Sequence, residues 1–388
     1  MWGRNAFTCT RIPSKFLSRQ RLVLSSAQNL YSPAALGMNG FEHARTKVKQ
    51  QFNTLESKFK DKMKEFSDPA ATSSTIFTED LKHMVHLAEE SDLPMLRQMM
   101  TKFSSQNKDL RFGSFIFGPV VMRMYYFLNQ PQEALEAFKD PSLDGFFDQL
   151  VTFQVLMDLL LKNEMYDEVL EVFEHVKGKQ LQGAKFPKNA VVLAFAACYK
   201  KNTPEAHQYA KQLWSDLNAI GHYPMRRAAT FAAALAINQN EPGVALEILS
   251  TVQRQTYVTV RNLKVCALAD LGRPDDALPI LRNVLEFRDS PADGQSHTFY
   301  KEAITKMDSS VQKSNNPELT TEYESVLKKL VTLKLVIDDS LDAQLCSDIE
   351  AIQSPQRRDG QAPFKRDFRK GGFGGNRPSY RPGVRDLL

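Results

Sequence analysis

Apolar residues recur every three or four positions over most of the chain, and strand-like alternation is rare. That periodicity predicts helices almost throughout. From Phe41 through Ala44, Val48, Phe52, Leu55, Phe59 and Met63 to Phe66 it predicts one long amphipathic helix. Arg45, Lys47, Lys49, Lys58, Lys60, Lys62 and Lys64 fall on its polar face among four acids, the makeup of a solvated face. From about residue 76 a motif returns in which Pro, Asp or Glu precedes a short apolar helix: DLPMLRQMM, PQEALEAF, YDEVLEVFEHV, PEAHQYAKQLW, EPGVALEIL and PDDALPIL. Aligned on Met95, Ala134, Val169, Ala206, Ala245 and Ala277, the intervals are 39, 35, 37, 39 and 32 residues. A second apolar helix lies before most of them, as in VTFQVLMDLLLKNEMYDE. One helical hairpin cannot bury its own apolar face, so such a period predicts stacked hairpins. The expected fold is all-α, a right-handed solenoid of helix-turn-helix repeats over 76–290. A basic amphipathic helix and linker, 42–75, would precede it, and capping helices within 291–353 would close it, with SPADGQS as the break and Asn316-Pro317 as a helix start.

Charge divides this picture into a body and two ends. The net charge of the 388 residues is +5. Residues 1–41 hold Arg4, Arg11, Lys15, Arg19 and Arg21 and no acid, residues 354–388 carry a net +6, and the middle carries a net −6. Spaced Arg and Lys among Ser, Leu and Phe is the composition of a mitochondrial transit peptide, assigned to 1–41 with cleavage between Leu22 and Leu36; a disordered basic terminus is the plainer alternative. The last segment sets Phe364, Phe368, Phe373 and Tyr380 among Arg, Lys and Gly and lacks the apolar area to fold. Its Arg357, Arg358, Lys365, Arg366, Arg369, Lys370, Arg377 and Arg381 are expected to attract RNA phosphates while the aromatic rings stack on bases, although a merely solubilising tail has the same composition. Cys9, Cys198, Cys266 and Cys346 form no CxxC, so neither a zinc knuckle nor a disulfide framework is indicated. No apolar run reaches the length of a membrane span.

The unit VTFQVLMDLLLKNEMYDEVLEVFEHVKGK, residues 151–179, closely resembles the pentatricopeptide repeat: Thr152-Phe153 opens its first helix, Lys162-Asn163 ends it, and Asp167 to Phe173 form the second. The longer stretches FGPVVMRMYYFL, LDGFFDQLVTFQVLMDLLL, VVLAFAACYK, RRAATFAAALAINQNE and DDSLDAQLC also resemble that family. The resemblance implies a mitochondrial matrix protein that binds single-stranded RNA and acts in its maturation or stabilisation, in support of the respiratory chain. It implies that the first helix of each hairpin lines the binding face and that one residue early in that helix meets a base. That position is Gln154 in the clearest unit, and it carries over to Pro119, Val191, Thr230 and Asn262. Gln154, Thr230 and Asn262 have edge-reading groups and the other two do not; the same three also suit a plain polar surface. Arg226 and Arg227, at the start of a helix, are candidate phosphate ligands.

No catalytic constellation, resident metal or cofactor is indicated. His83 and His86 make an HxxH without a third ligand, and Asp275-Asp276 and Asp338-Asp339 sit where helix starts account for them. Cys198 reads as a small core residue. The principal alternative is a protein–protein scaffold, partnered by RNA-processing enzymes or the mitochondrial ribosome, which the acidic middle favours.

Overall fold

Turn chemistry sets the register of this chain. The computed structural model describes residues 29–68, 74–106, 115–286 and 297–350. Three helices come first: α1 (Pro33–Leu36), α2 (Met38–Phe52) and α3 (Glu56–Ser67). Seven hairpins follow among the described residues. They are α4 (Thr78–Leu87) with α5 (Leu93–Ser105), α6 (Gly118–Leu128) with α7 (Pro131–Lys139), α8 (Leu150–Lys162) with α9 (Tyr166–Lys179), and α10 (Lys188–Lys201) with α11 (Pro204–Ala219). Then come α12 (Arg226–Asn238) with α13 (Pro242–Ser250), α14 (Val258–Asp270) with α15 (Pro274–Glu286), and α16 (Lys301–Ser314) with α17 (Pro317–Thr332). A short α18 (Leu341–Leu345) ends the described chain.

In the last six hairpins the first helix is followed by a residue in the left-handed region, at Asn129, Glu164, Asn202, Asn240, Gly272 and Asn315. The second helix begins two positions later, on Pro in five of the six. A left-handed residue satisfies the last carbonyls of a helix, and Pro gives up no hydrogen bond in the first turn of the next. All six alignment residues, Met95 to Ala277, lie on second helices.

The first helices form one continuous row, α4, α6, α8, α10, α12, α14, α16, each packed on its neighbours. The two central ones are enclosed most fully: Ala190 to Cys198 of α10 and Ala228 to Ile237 of α12 are buried without a break. A helix with no polar face must be enclosed on all sides. The second helices keep a solvated face and are tied to one another by ion pairs, Arg97 to Glu136 at 3.2 Å, Lys139 to Glu171 at 2.6 Å and Lys211 to Glu241 at 3.0 Å. Such exposed pairs contribute at most about 1 kcal/mol each, so burial in the row of first helices dominates.

One expectation is corrected. The single helix expected over 41–66 is broken at Asn53, where φ is +32° and ψ −107°. The break lets α2 pack on α4 while α3 packs on α5, an arrangement one straight helix would not permit. Residues 29–41 fall within the segment expected to be a leader, and here they pack with the body. Leu30, Tyr31, Leu36, Met38 and Phe41 are buried in the core. Gly37 takes a φ of +73° beneath the Arg123 guanidinium, where a Cβ would lie 2.9 Å from Nη2. Residues 1–28 and the tail 354–388, with Arg357, Arg358, Lys365, Arg366, Arg369, Lys370, Arg377 and Arg381, lie outside the described residues.

At the other end α16 and α17 repeat the hairpin geometry, α16 packing on α14 and α17 on α15. The expected capping segment therefore contains a further hairpin. Just before it, Phe299 and Tyr300 pair in parallel with Val336 and Ile337.

Candidate nucleic-acid interface

The row of first helices presents the face on which base-reading residues were expected, and that face is covered by the chain itself. Leu30 to Ser32 runs beside Ile349: Ser32 N–H donates to the Ile349 carbonyl at 3.1 Å and Ile349 N–H to the Leu30 carbonyl at 2.9 Å. The two segments thus form a parallel bridge, Tyr31 with Ile349. α1 lies against α8, and α18 lies against α12 and α14. Arg123 Nε donates to the Leu36 carbonyl at 2.7 Å, and Lys200 pairs with Asp342 at 3.0 Å.

This cover decides where the expected RNA ligands stand. Thr230 is fully buried, and its hydroxyl donates to the Arg227 carbonyl at 3.0 Å. Asn262 is also fully buried: its amide donates to the Val258 carbonyl at 2.8 Å and the Thr298 carbonyl at 3.2 Å, while its Oδ1 accepts from Tyr300 N–H at 2.8 Å. Neither can reach a base in this arrangement. Asn262 instead anchors the strand that leads into α16. Gln154 is half-buried and accepts from Asn189 Nδ2 at 2.8 Å.

The arginine pair divides. Arg227 holds the C-terminal segment, donating to the carbonyls of Gln344, Leu345 and Ser347 at 3.2, 2.6 and 2.8 Å and to Ser347 Oγ at 2.7 Å. In this arrangement the donors of Arg227, expected to meet phosphate, are engaged by the C-terminal segment. Arg226 lies flat over the Tyr257 ring, 3.7 Å from the centroid, with Nη1 3.5 Å from Thr259 Oγ1. Of the residues expected to bind phosphate, Arg226 is the one described residue still facing a cavity.

Asp158 was not expected. Its Oδ1 accepts from Tyr31 N–H at 3.1 Å and its Oδ2 from the Tyr126 hydroxyl at 2.9 Å. It is completely buried on α8, and burial pushes its carboxyl up to about 7 although those hydrogen bonds and nearby Lys162 act in the opposite direction. A carboxyl whose folded value exceeds its ordinary 3.8 binds its proton more tightly folded than unfolded. Its contribution to stability is therefore lost as the pH rises from about 4 to about 7 and is constant above that. In urea denaturation at a series of pH values, the Asp158→Asn chain is expected to gain stability relative to the natural one across that window. A difference independent of pH would show that Asp158 does not titrate there.

The groups that suggested chemistry have structural roles. His86 is buried, its Nδ1 2.7 Å from the Lys82 carbonyl and its ring stacked on Phe41, while His83 meets the edge of Phe52. Asp276 pairs with Arg273, and Asp338 with Lys301 at 3.0 Å. Burial pushes the Cys198 and Cys266 thiols up to about 12, far from a reactive thiolate. Among the described residues no group of three or more His, Cys, Asp or Glu is placed to hold a metal, and no helix is long and apolar enough to cross a membrane.

No family model matches the chain. Individual proteins do match. Pentatricopeptide repeat-containing protein 2, mitochondrial, of Pongo abelii is 32% identical over 268 residues, 69% of this chain and 68% of the relative. The chain belongs to the pentatricopeptide repeat-containing protein 2 family. The Homo sapiens protein of that name is 29% identical over 84% of this chain and 82% of its own length, and the Mus musculus protein 28% identical over 84% of each. Membership in the pentatricopeptide repeat-containing protein 2 family agrees with the row of hairpins, and these relatives are named as mitochondrial. In this chain the two terminal segments pair over the first-helix face.

Proposed function

We propose that the protein is an RNA-binding protein of the mitochondrial matrix that holds single-stranded RNA and so acts in the maturation, processing or stabilisation of a mitochondrial transcript, supporting the respiratory chain without chemistry of its own. The observation that carries this reading is a cationic, aromatic opening on a family-typical array of helical hairpins: Arg226 is stacked on Tyr257 and without a carboxylate partner among the described residues. The mitochondrial names of the relatives support the location, as does the acid-free basic composition of residues 1–41. The Arg/Gly/aromatic tail adds sequence-independent phosphate attraction and faster association.

A specific observation also favours the scaffold reading. The first-helix face is filled by the protein's own ends, and the segment 42–353 carries a net charge of −6, which repels phosphates. RNA crosslinking in intact mitochondria, with the bound peptides mapped, separates the two: crosslinks are expected in the tail and near Arg226, and their complete absence would leave the scaffold. Deleting 354–388 is expected to flatten the dependence of log affinity on log salt by about 0.7 for each phosphate that the tail neutralises. An unchanged slope would transfer that role to the body.

A further inference from the structure

At one edge of the array the connections α11 to α12 and α13 to α14 run side by side and leave an open cavity of about 410 Å³. That size suits a small ligand or one nucleotide. Ala229 and the buried Val252 form part of its lining. Arg226, flat against Tyr257, supplies one wall. Tyr223 stands at the cavity with 82% of its surface exposed, the most exposed of the large hydrophobic residues described. Arg254 also lines it, is exposed, and takes part in no described ion pair. Asn218 and Gln253 add amides able to donate and accept.

Each feature is poorly explained by folding alone. A tyrosine this exposed buries almost no apolar area, so its aromatic ring contributes little to stability here. Arg226 is desolvated by burial, and among the described residues no carboxylate pairs with it. In a body whose overall charge is negative, two arginines free of carboxylates beside two aromatic rings form a local site of the opposite character. Guanidinium planes and tyrosine faces both stack on unpaired bases, while guanidinium N–H groups donate to phosphate oxygens.

Resting on the RNA-binding reading, we infer that this cavity seats one nucleotide unit of single-stranded RNA, its base against Tyr223 and the Arg226–Tyr257 stack and its phosphate on Arg254. The site lies at the edge of the array, clear of the face that the terminal segments cover. Binding there does not require those segments to move. The amides of Asn218 and Gln253 are placed at the cavity to meet the edge of the base.

The test uses the full chain and a labelled single-stranded RNA oligonucleotide, with anisotropy read at salt high enough, roughly 0.3 M, to weaken the attraction of the basic tail. Tyr223→Ala is expected to weaken binding about five-fold or more, as loss of one stacked base does, and Tyr223→Phe to retain it. Arg254→Ala is expected to lower the salt slope by about 0.7. Both side chains are exposed, so thermal unfolding should be unchanged in both variants. Ultraviolet crosslinking should mark the peptide that contains Tyr223. RNA binding unaffected by both Tyr223→Ala and Arg254→Ala would overturn the site and leave the RNA-binding reading standing. Failure of the natural chain to bind RNA would overturn both. A free mononucleotide bound as tightly as the oligonucleotide would replace an RNA unit with a free nucleotide as occupant.

Discussion

Leu36→Ala, in a chain that begins at Asn29, is expected to cost about 2–5 kcal/mol, the range for a leucine truncated inside a packed core. Leu36 is 1% exposed and lies in α1, against α8. A leucine in a leader that is cut away would cost nothing, so this substitution discriminates between the composition of the segment and its packing. The same geometry places the mature end of the protein. Tyr31 N–H completes the partners of buried Asp158, and the Leu30 carbonyl accepts from Ile349. Cutting between them and Leu36 would take the Tyr31 donor from Asp158 in the interior, where an unmet polar group costs about 1–3 kcal/mol. Mass spectrometry of the mitochondrial protein is expected to find its first residue between Leu22 and Leu30. A first residue after Leu36, with no loss of stability in Leu36→Ala, would return residues 29–36 to the leader.

Arg227→Ala is expected to destabilise by about 2–4 kcal/mol. It removes a half-buried fork of donors that satisfies three backbone carbonyls and a hydroxyl of the C-terminal segment. Hydrogen exchange should accelerate first at the amides of 341–349. Ser32 should follow, because its N–H donates to the Ile349 carbonyl. Arg227→Lys should recover little, since one ammonium cannot span the carbonyls that a planar fork reaches. If Arg227 served only to bind phosphate, unfolding of the RNA-free protein would be unchanged by either substitution.

The hairpins were legible because their signal is local. Apolar spacing within each turn fixed the second helices, and Met95, Ala134, Val169, Ala206, Ala245 and Ala277 all fall on them. A sharper signal was present too: Asn129, Asn202, Asn240 and Asn315 each stand two positions before a proline that starts a helix, and this pattern sets the turns to the residue. The burial of Thr230 and Asn262 has a physical reason. Polar side chains suggest a surface, yet both sit in helices buried over most of their length, and RAATFAAALA around Thr230 has no polar stripe that could face water. That absence was the available sign of enclosure.

What encloses them could not be read from spacing, because it comes from chain segments far away in sequence. Tyr31 reaches Asp158 across 127 positions, and Arg227 reaches Leu345 across 118. Composition also gives no sign that residues 29–41 pack with the body, since their lack of acids hides a buried apolar series. Of the expected site residues, Arg226 stands at an open cavity because its helix begins at the edge of the row, while Arg227, one position on, points beneath the terminal segments.

The bridge between Tyr31 and Ile349 also orders events in time. A linear stack of hairpins can form neighbour by neighbour as the chain is made, since each unit needs only the one beside it. Residues 30–32 emerge among the first of the described residues, and their partner Ile349 among the last. Until synthesis reaches it, the Ile349 carbonyl that receives Ser32 does not exist. The fold therefore finishes with a closure of high sequence separation, the slowest kind to make. A chain that folds from its amino end, as one entering the matrix behind a leader would, passes through a stage in which the hairpins stand but the first-helix row is still uncovered.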